Sequence, residues 1–258
     1  MQPFLPEIDT YLKQALLAHR LPPGEQGGLY HPSERPVQRL GLALEPTPRL
    51  AEWVRTQRLD ALWLHRPWRL DPAQLPPGVG VLYHHLPFDE HLTTGLNPRL
   101  AEALNLTDLD ELGYKQAPDE LGHPMPPRPI GMIGHVPGTD VPSRTFAEWQ
   151  ALIESQFGGY DRAVPGRIDA PERVAVVGAM NPALMWEAHE RGVGLYLTGE
   201  YRKGTQDAVD ETGMAVIAVG HRRTEEWGLR ALGTLLGERW PDLAIVIESS
   251  RSETARQG

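Results

Sequence analysis

The stretch VAVVGAMNPALMWEAHERGVGLYLTGEYRKGTQDAVDETGMAVIAVGH, from Val174 to His221, decides the fold. It holds three short apolar runs, at 174–177, 194–197 and 215–219, with helical segments between them at 182–191 and 205–212. A helix over 224–240 and a final strand over 243–247 continue the alternation. Short apolar strands separated by helices imply largely parallel pairing, with both faces of the sheet covered. Open sheets of this kind place ligands beyond the carboxyl ends of their strands. The residues that follow each strand are therefore where chemistry is expected.

The segments upstream extend the pattern. Thr145 and Glu148 have the spacing of a capping box and open a helix over 145–157, with Phe146, Trp149, Ile153 and Phe157 along one face. Residues 107–140 are rich in Pro, Gly and His without clear periodicity, and read as a connection between two halves with room for short strands. Before them come a helix at 96–104, a strand at 79–83 that runs into His84 and His85, and a proline-rich loop at 67–77. A strand at 61–64 leads straight into His65, preceded by a helix at 50–57 and a strand at 39–44. Residues 8–19 form the first helix, with Ile8, Leu12, Ala15, Leu16 and His19 on one stripe. The expected fold class is α/β, built as two interleaved subdomains with mixed, largely parallel sheets. Residues 1–116 plus 215–258 would carry the site, and 117–214 would form the second subdomain.

Bulk properties narrow the function. At 258 residues the chain suits one large α/β domain or two small ones. A net charge of −9, from 25 basic and 34 acidic side chains, repels phosphate backbones at long range and disfavours generic nucleic-acid binding. There are no cysteines, so disulfides are excluded and any metal must be held by nitrogen and oxygen. Residues 1–10 lack a basic-then-apolar leader, and no apolar run approaches the ~18 residues of a membrane span. A cytoplasmic protein without membrane contact is expected. Residues 251–258 are polar and are expected to be loose.

Four strand ends carry His, Asp or Glu. His65 follows one, and His84, His85 and Asp89 follow another. Thr198, Gly199 and Glu200 follow a third, while His221 and Glu225 follow the fourth. If a helix begins at His221, the i, i+4 spacing of His221 and Glu225 puts both on one face, one turn apart, which suits two ligands of one metal or of two adjacent metals. A carboxylate such as Asp89 has two oxygens and can bridge two ions. Imidazoles and carboxylates without thiolates suit zinc, iron, manganese or nickel better than a closed structural zinc site. A single strand-end histidine is ordinarily a polar surface residue; the joint placement of several shifts the reading toward a site. His84 and His85 remain open as ligands, supporting donors or surface residues. Ser143, Ser249 and Ser250 sit in no nucleophile-elbow context, and no glycine segment matches a phosphate-cradling loop. Trp63, Trp68, Trp149 and Trp186 read as packing or interface residues.

From about residue 8 to residue 247 the chain resembles the NIF-three-like family, also called the GTP cyclohydrolase I type 2 homologues. The resemblance rests on Glu25-Gln26-Gly27-Gly28-Leu29, Leu42-Ala43-Leu44-Glu45-Pro46-Thr47, Leu62-Trp63-Leu64-His65, His85-Leu86-Pro87-Phe88-Asp89 and Gly95-Leu96-Asn97. Its most specific parts are Tyr196-Leu197-Thr198-Gly199-Glu200 and Gly220-His221-Arg222-Arg223-Thr224-Glu225, with Gly228 three residues on. The resemblance implies a pair of divalent metals held by His65, Asp89, His221 and Glu225. It also implies a ring-shaped homohexamer with the site inside. The family's second histidine of a His-His pair is Arg66 here, and a guanidinium offers no lone pair to a metal. One or two ions per chain are therefore expected. A further His pair that members carry after the Thr-Gly-Glu segment is replaced by Lys203 and Gly204.

Two functions follow from this reading, beside a third possibility in which the site has decayed and the fold serves only as a scaffold. One is a metal-dependent hydrolase of a small molecule, with Glu200 as general base or supporting partner; the family name points to opening the imidazole ring of GTP. The other is a non-catalytic metal-binding oligomer that serves as an adaptor or regulatory scaffold.

Overall fold

A computed structural model describes residues 2–138 and 144–248. Ser143, Ser249, Ser250 and the polar tail 251–258 lie outside the described residues. In chain order the elements are α1 (Leu5–Ala15), β1 (Gly28–His31), β2 (Arg39–Ala43), α2 (Leu50–Gln57), β3 (Ala61–Leu64), β4 (Gly80–Tyr83), α3 (His85–Leu92) and α4 (Pro98–Ala103). They continue with β5 (Thr107–Lys115), β6 (Arg128–His135), α5 (Phe146–Phe157), β7 (Arg162–Val164), β8 (Arg173–Val177), α6 (Pro182–Glu190) and β9 (Leu195–Thr198). Last come α7 (Gln206–Thr212), β10 (Ala215–Ala218), α8 (His221–Arg239) and β11 (Ala244–Ile247). The protein is a mixed α/β molecule with two mixed sheets. No helix among the described residues is long and apolar enough to cross a membrane.

The chain forms two compact units. The first comprises Met1–His19, Gly24–His85 and Leu229–Gly258; the second comprises Arg20–Pro23 and Leu86–Gly228. Each boundary between the long segments falls inside a continuous helix, α3 in one case and α8 in the other.

The first unit holds a five-stranded sheet in the order β1-β4-β3-β2-β11. β2, β3, β4 and β11 run parallel, and β1 closes the edge antiparallel to β4. Pairing of β11 with β2 joins the two ends of the chain, with Ile247 opposite Leu42. β3 lies at the centre, and all four of its residues are buried. Because strand side chains alternate, Leu62 and Leu64 pack with Leu50 and Val54 of α2, while Trp63 points the other way. α1 buries Ile8 and Leu12 of the expected stripe together with Leu5, while Ala15 and His19 are exposed and the helix spans Leu5–Ala15 rather than 8–19.

The second unit holds a six-stranded sheet in the order β5-β6-β8-β9-β10-β7. β8, β9 and β10 are mutually parallel. β6 and β7 flank them antiparallel, and β5 pairs antiparallel on β6. On one face Leu184, Met185 and Ala188 of α6 and Val209 of α7 pack on Ala175, Val177, Tyr196 and Val216. The alternate residues Val174, Val176, Leu197 and Ile217 are also fully buried, which accounts for the near-continuous apolar runs. α5 begins as its sequence dictates. Thr145 Oγ1 accepts from the Glu148 N–H at 3.3 Å, and the Glu148 carboxylate accepts from the Thr145 N–H at 2.8 Å.

In the connecting segment the expected short strands are long ones: β5 and β6 pair in one register from Lys115 opposite Arg128 to Asp110 opposite Ile133, and the register shifts before Thr107 opposite His135. β5 buries little beyond Leu112 and Gly113, so it shows no apolar alternation. β6 is almost wholly buried but contains Pro129, Gly131 and Gly134, residues that read locally as turn formers. Gly131 is needed because a Cβ there would lie 2.9 Å from the Val176 carbonyl oxygen of the neighbouring strand. α3, β1 and β7 are further elements without a sequence signal, and α8 starts at His221 rather than at 224.

Candidate metal centre

In the first unit, β3 delivers His65. Its N–H donates to the Ala43 carbonyl at 3.1 Å, continuing the parallel ladder by one residue, and its side chain is fully buried. The His65 ring lies parallel to that of Trp63, 6.1 Å away and within 3°. Its centroid is 4.7 Å from the ring of His85.

The adjacent His84 and His85 diverge. His84 is fully buried: the Trp63 indole donates to its Nδ1 at 3.2 Å, and its Nε2 lies 3.0 Å from Asp9 Oδ1. An indole N–H can only donate, so Nδ1 is the acceptor and Nε2–H donates to the Asp9 carboxylate. Burial holds His84 below its usual pKa, against the opposing pull of the Asp9 hydrogen bond. Burial pushes Asp9 up, but hydrogen bonds from His84 and Lys13 together outweigh it and hold the carboxyl below the usual range. His84 is thus part of a buried polar network with α1.

His85, in contrast, is the first residue of α3, and Asp89 stands one turn further along the same helix face. The unit boundary follows His85, but the helix is continuous, so the spacing of the two side chains is set by the helix. His65, His85 and Asp89 each offer a ligand atom, and the three atoms lie within 4.8 Å of one another. Two imidazoles and a carboxylate at that separation fit a divalent cation of the zinc, iron, manganese or nickel kind.

Within the second unit a cleft of about 640 Å³ opens beyond the carboxyl ends of β8, β9 and β10. Gly178 to Met180 line it after β8, Thr198 to Glu200 after β9, and His221 and Thr224 after β10. Asp89 lines the same cleft, so the expected ligands Asp89 and His221 share one cavity wall. His221 Nε2 lies 3.0 Å from Glu225 Oε1, with Glu225 buried and His221 exposed. Glu200 lines the cleft beside Arg202, whose guanidinium is 2.7 Å from its carboxylate. Glu90 receives both its carboxylate contacts from Arg128 Nε, at 3.0 and 2.9 Å. Arg66 binds Glu45 at 2.9 Å in the first unit. Lys203 sits in a short 3₁₀ turn, Lys203–Thr205.

Two glycines and an asparagine of the family segments have plain roles in holding α3. A Cβ at Gly95 would collide with the Glu90 carbonyl oxygen. At Gly228, within α8, a Cβ would lie 2.6 Å from Phe88 Cζ and 2.8 Å from the Leu92 carbonyl, so α3 and α8 cross with no room for a methyl group. Asn97 caps α4 by accepting from the Leu100 N–H at 3.2 Å and donates to the Thr93 carbonyl at 3.0 Å.

His85, like His84, is a residue whose role the sequence left open. Its i, i+4 relation to Asp89 was the available signal, obscured because α3 is short and contains Pro87.

The fold and this donor set define a two-sheet α/β protein with a histidine–aspartate cluster at its strand ends. The chain belongs to the Duf34/NIF3 (NGG1p interacting factor 3) family, whose model matches residues 74–256. That span includes His85, Asp89, Glu200, His221 and Glu225, and begins after His65. A relative from Allochromatium vinosum, called a GTP cyclohydrolase 1 type 2 homolog, is 26% identical over 249 residues and 91% of each chain. A Pyrococcus abyssi relative of the same name is 27% identical over 259 residues, 94% of this chain and 97% of its own. A solved Bacillus cereus protein related to NIF3 shares the fold at TM-score 0.69 and 14% identity over 98% of both chains.

Proposed function

We propose that this protein binds divalent metal through His65, His85 and Asp89, with His221 and Glu225 as further ligands, and acts as a metal-dependent hydrolase on a small molecule. The observation that carries the reading is the grouping of one ligand atom each from His65, His85 and Asp89 within 4.8 Å. The cleft beside Asp89 gives a substrate room at strand ends, the usual place in such sheets. A divalent cation there would supply Lewis acidity at neutral pH. Glu225 would orient the His221 ring through their 3.0 Å contact. Glu200, on the cleft wall, would accept a proton from the nucleophile, with Arg202 holding its carboxylate in place. The names of the relatives make GTP, with release of formate, the first substrate to try.

The test is metal content by plasma mass spectrometry of untagged protein, beside His85→Ala and a His65→Ala, Glu225→Ala double variant, followed by formate release from GTP. Stoichiometric metal lost in the variants supports the site. No metal in the wild type, even after reloading, sinks it. Metal without turnover under any divalent ion favours the second reading, a non-catalytic metal-binding oligomer. That reading draws support from Arg66, which takes the place of a histidine and turns to Glu45. On the hydrolase reading, Glu200→Gln lowers turnover by about 100-fold and leaves metal content unchanged.

A further inference from the structure

We propose that Thr198 is a substrate-positioning residue, donating its hydroxyl hydrogen to an oxyanion of the substrate, a phosphate or a carboxylate, held at the amino-terminal end of α8. Thr198 closes β9 on the floor of the cleft and is 1% exposed. Its backbone is fixed, with the carbonyl accepting from the Val219 N–H at 2.9 Å. Yet its Oγ1 is buried without a hydrogen-bond partner among the described residues. A buried hydroxyl left unsatisfied is destabilising, and a valine would fill the same volume without that cost. The neighbouring Thr224 shows the contrast: its hydroxyl already donates to the His221 carbonyl at 2.6 Å.

The surroundings suit an oxyanion. Two further hydroxyls border the floor, since a Cβ at Gly199 would lie 3.4 Å from Thr94 Oγ1 and 3.7 Å from Thr224 Oγ1. α8 is a 19-residue helix whose first turn, through His221 and Thr224, lines the same cleft. Its amino terminus carries a partial positive charge and backbone N–H groups that favour anions. Of the carboxylates on the wall, Glu90 is neutralised by Arg128 and Glu200 by Arg202. Lys115 adds a cation. The remaining carboxylate is Asp89, and the inference rests on the metal reading because a metal must absorb that charge.

The experiment uses full-length, metal-loaded protein with Thr198→Val and Thr198→Ser, titrated calorimetrically with inorganic phosphate and, separately, with acetate. Metal content is measured on the same samples. Wild type binds one of the two anions, Thr198→Val weakens it by about tenfold, and Thr198→Ser stays within about threefold. Tighter phosphate binding assigns a phosphoryl group, and tighter acetate binding assigns a carboxylate. Ligand-free Thr198→Val melts at or above the wild-type temperature. Equal anion binding by the valine variant, or none by wild type, overturns the proposal while intact metal content leaves the metal reading standing. A valine variant that melts several degrees lower without ligand also overturns it, because the hydroxyl would then serve a partner within the fold. Wild type devoid of metal overturns both.

Discussion

The rings of His65 and His85 lie 4.7 Å apart, centroid to centroid, with their planes inclined by 35°. The two residues come from the ends of adjacent parallel strands, β3 and β4. His65 follows its strand directly, whereas His85 follows after one intervening residue and opens a helix. That single intervening residue, His84, separates a donor in the cluster from a buried support.

Substitution of the two neighbours should therefore split two properties. His85→Ala is expected to lower metal affinity by more than the about 10- to 100-fold typical of losing a residue that only orients a ligand, with little change in melting temperature. His84→Ala removes the acceptor of the Trp63 indole and one of the hydrogen bonds to the Asp9 carboxylate, and is expected to destabilise by about 2–4 kcal/mol. Metal analysis and denaturant melts of both variants decide this. Equal effects of the two on both readouts would remove the distinction.

Arg66→His tests whether a donor beside His65 adds a second metal position. Arginine cannot coordinate, and this one is held by Glu45. The variant is expected to raise bound metal from near one ion per chain toward two on saturation. An unchanged stoichiometry would show that position 66 does not limit the second ion.

Acid should weaken the fold through Asp9 and His84. Asp9 has a lowered pKa, so the unfolded chain takes its proton first, and its contribution is present above about pH 4 and lost as pH falls through the folded value. His84 is also lowered: the unfolded chain protonates near pH 6.5 while the folded one resists, so stability declines as pH drops below about 6.5. Both act in the same direction. Melting temperature should fall from pH 7 to pH 3, and Asp9→Asn should flatten the part below about pH 4 while costing about 2 kcal/mol at neutral pH. A variant with the wild-type profile would refute the assignment.

Gly228→Ala carries a sign that helix propensity alone would get wrong. Alanine is favoured over glycine by about 1 kcal/mol inside a helix. Here the added methyl meets Phe88 and the Leu92 carbonyl, and overpacking costs about 1–3 kcal/mol. Net destabilisation is expected, with metal affinity reduced because α3 carries His85 and Asp89. A more stable variant, read by thermal melts, would show that α3 shifts freely.

Local periodicity made much of the fold legible. The reading of 50–57 as helix and 61–64 as strand matches α2 and β3 at every residue, because burial of Leu50, Val54, Leu62 and Leu64 imposes a spacing visible in a short window. The i, i+4 relation of His221 and Glu225 appears as a 3.0 Å contact on α8 for the same reason. β5 and β6 are legible only as short strands within a connection, because neither shows apolar alternation. An edge strand needs no apolar alternation, and glycines in β6 answer to the backbone of β8 rather than to their own neighbours.

The sequence by itself determined the alternation of strands and helices and the presence of His, Asp and Glu at strand ends, since both are properties of consecutive residues. Only the tertiary structure decided that β2, β3 and β11 lie side by side, that Gly228 must admit Phe88, and that His85 rather than His84 joins His65. Neighbouring residues at a strand-to-helix junction point in different directions, and what each meets there is set by α1 and β3, which lie far away in the chain.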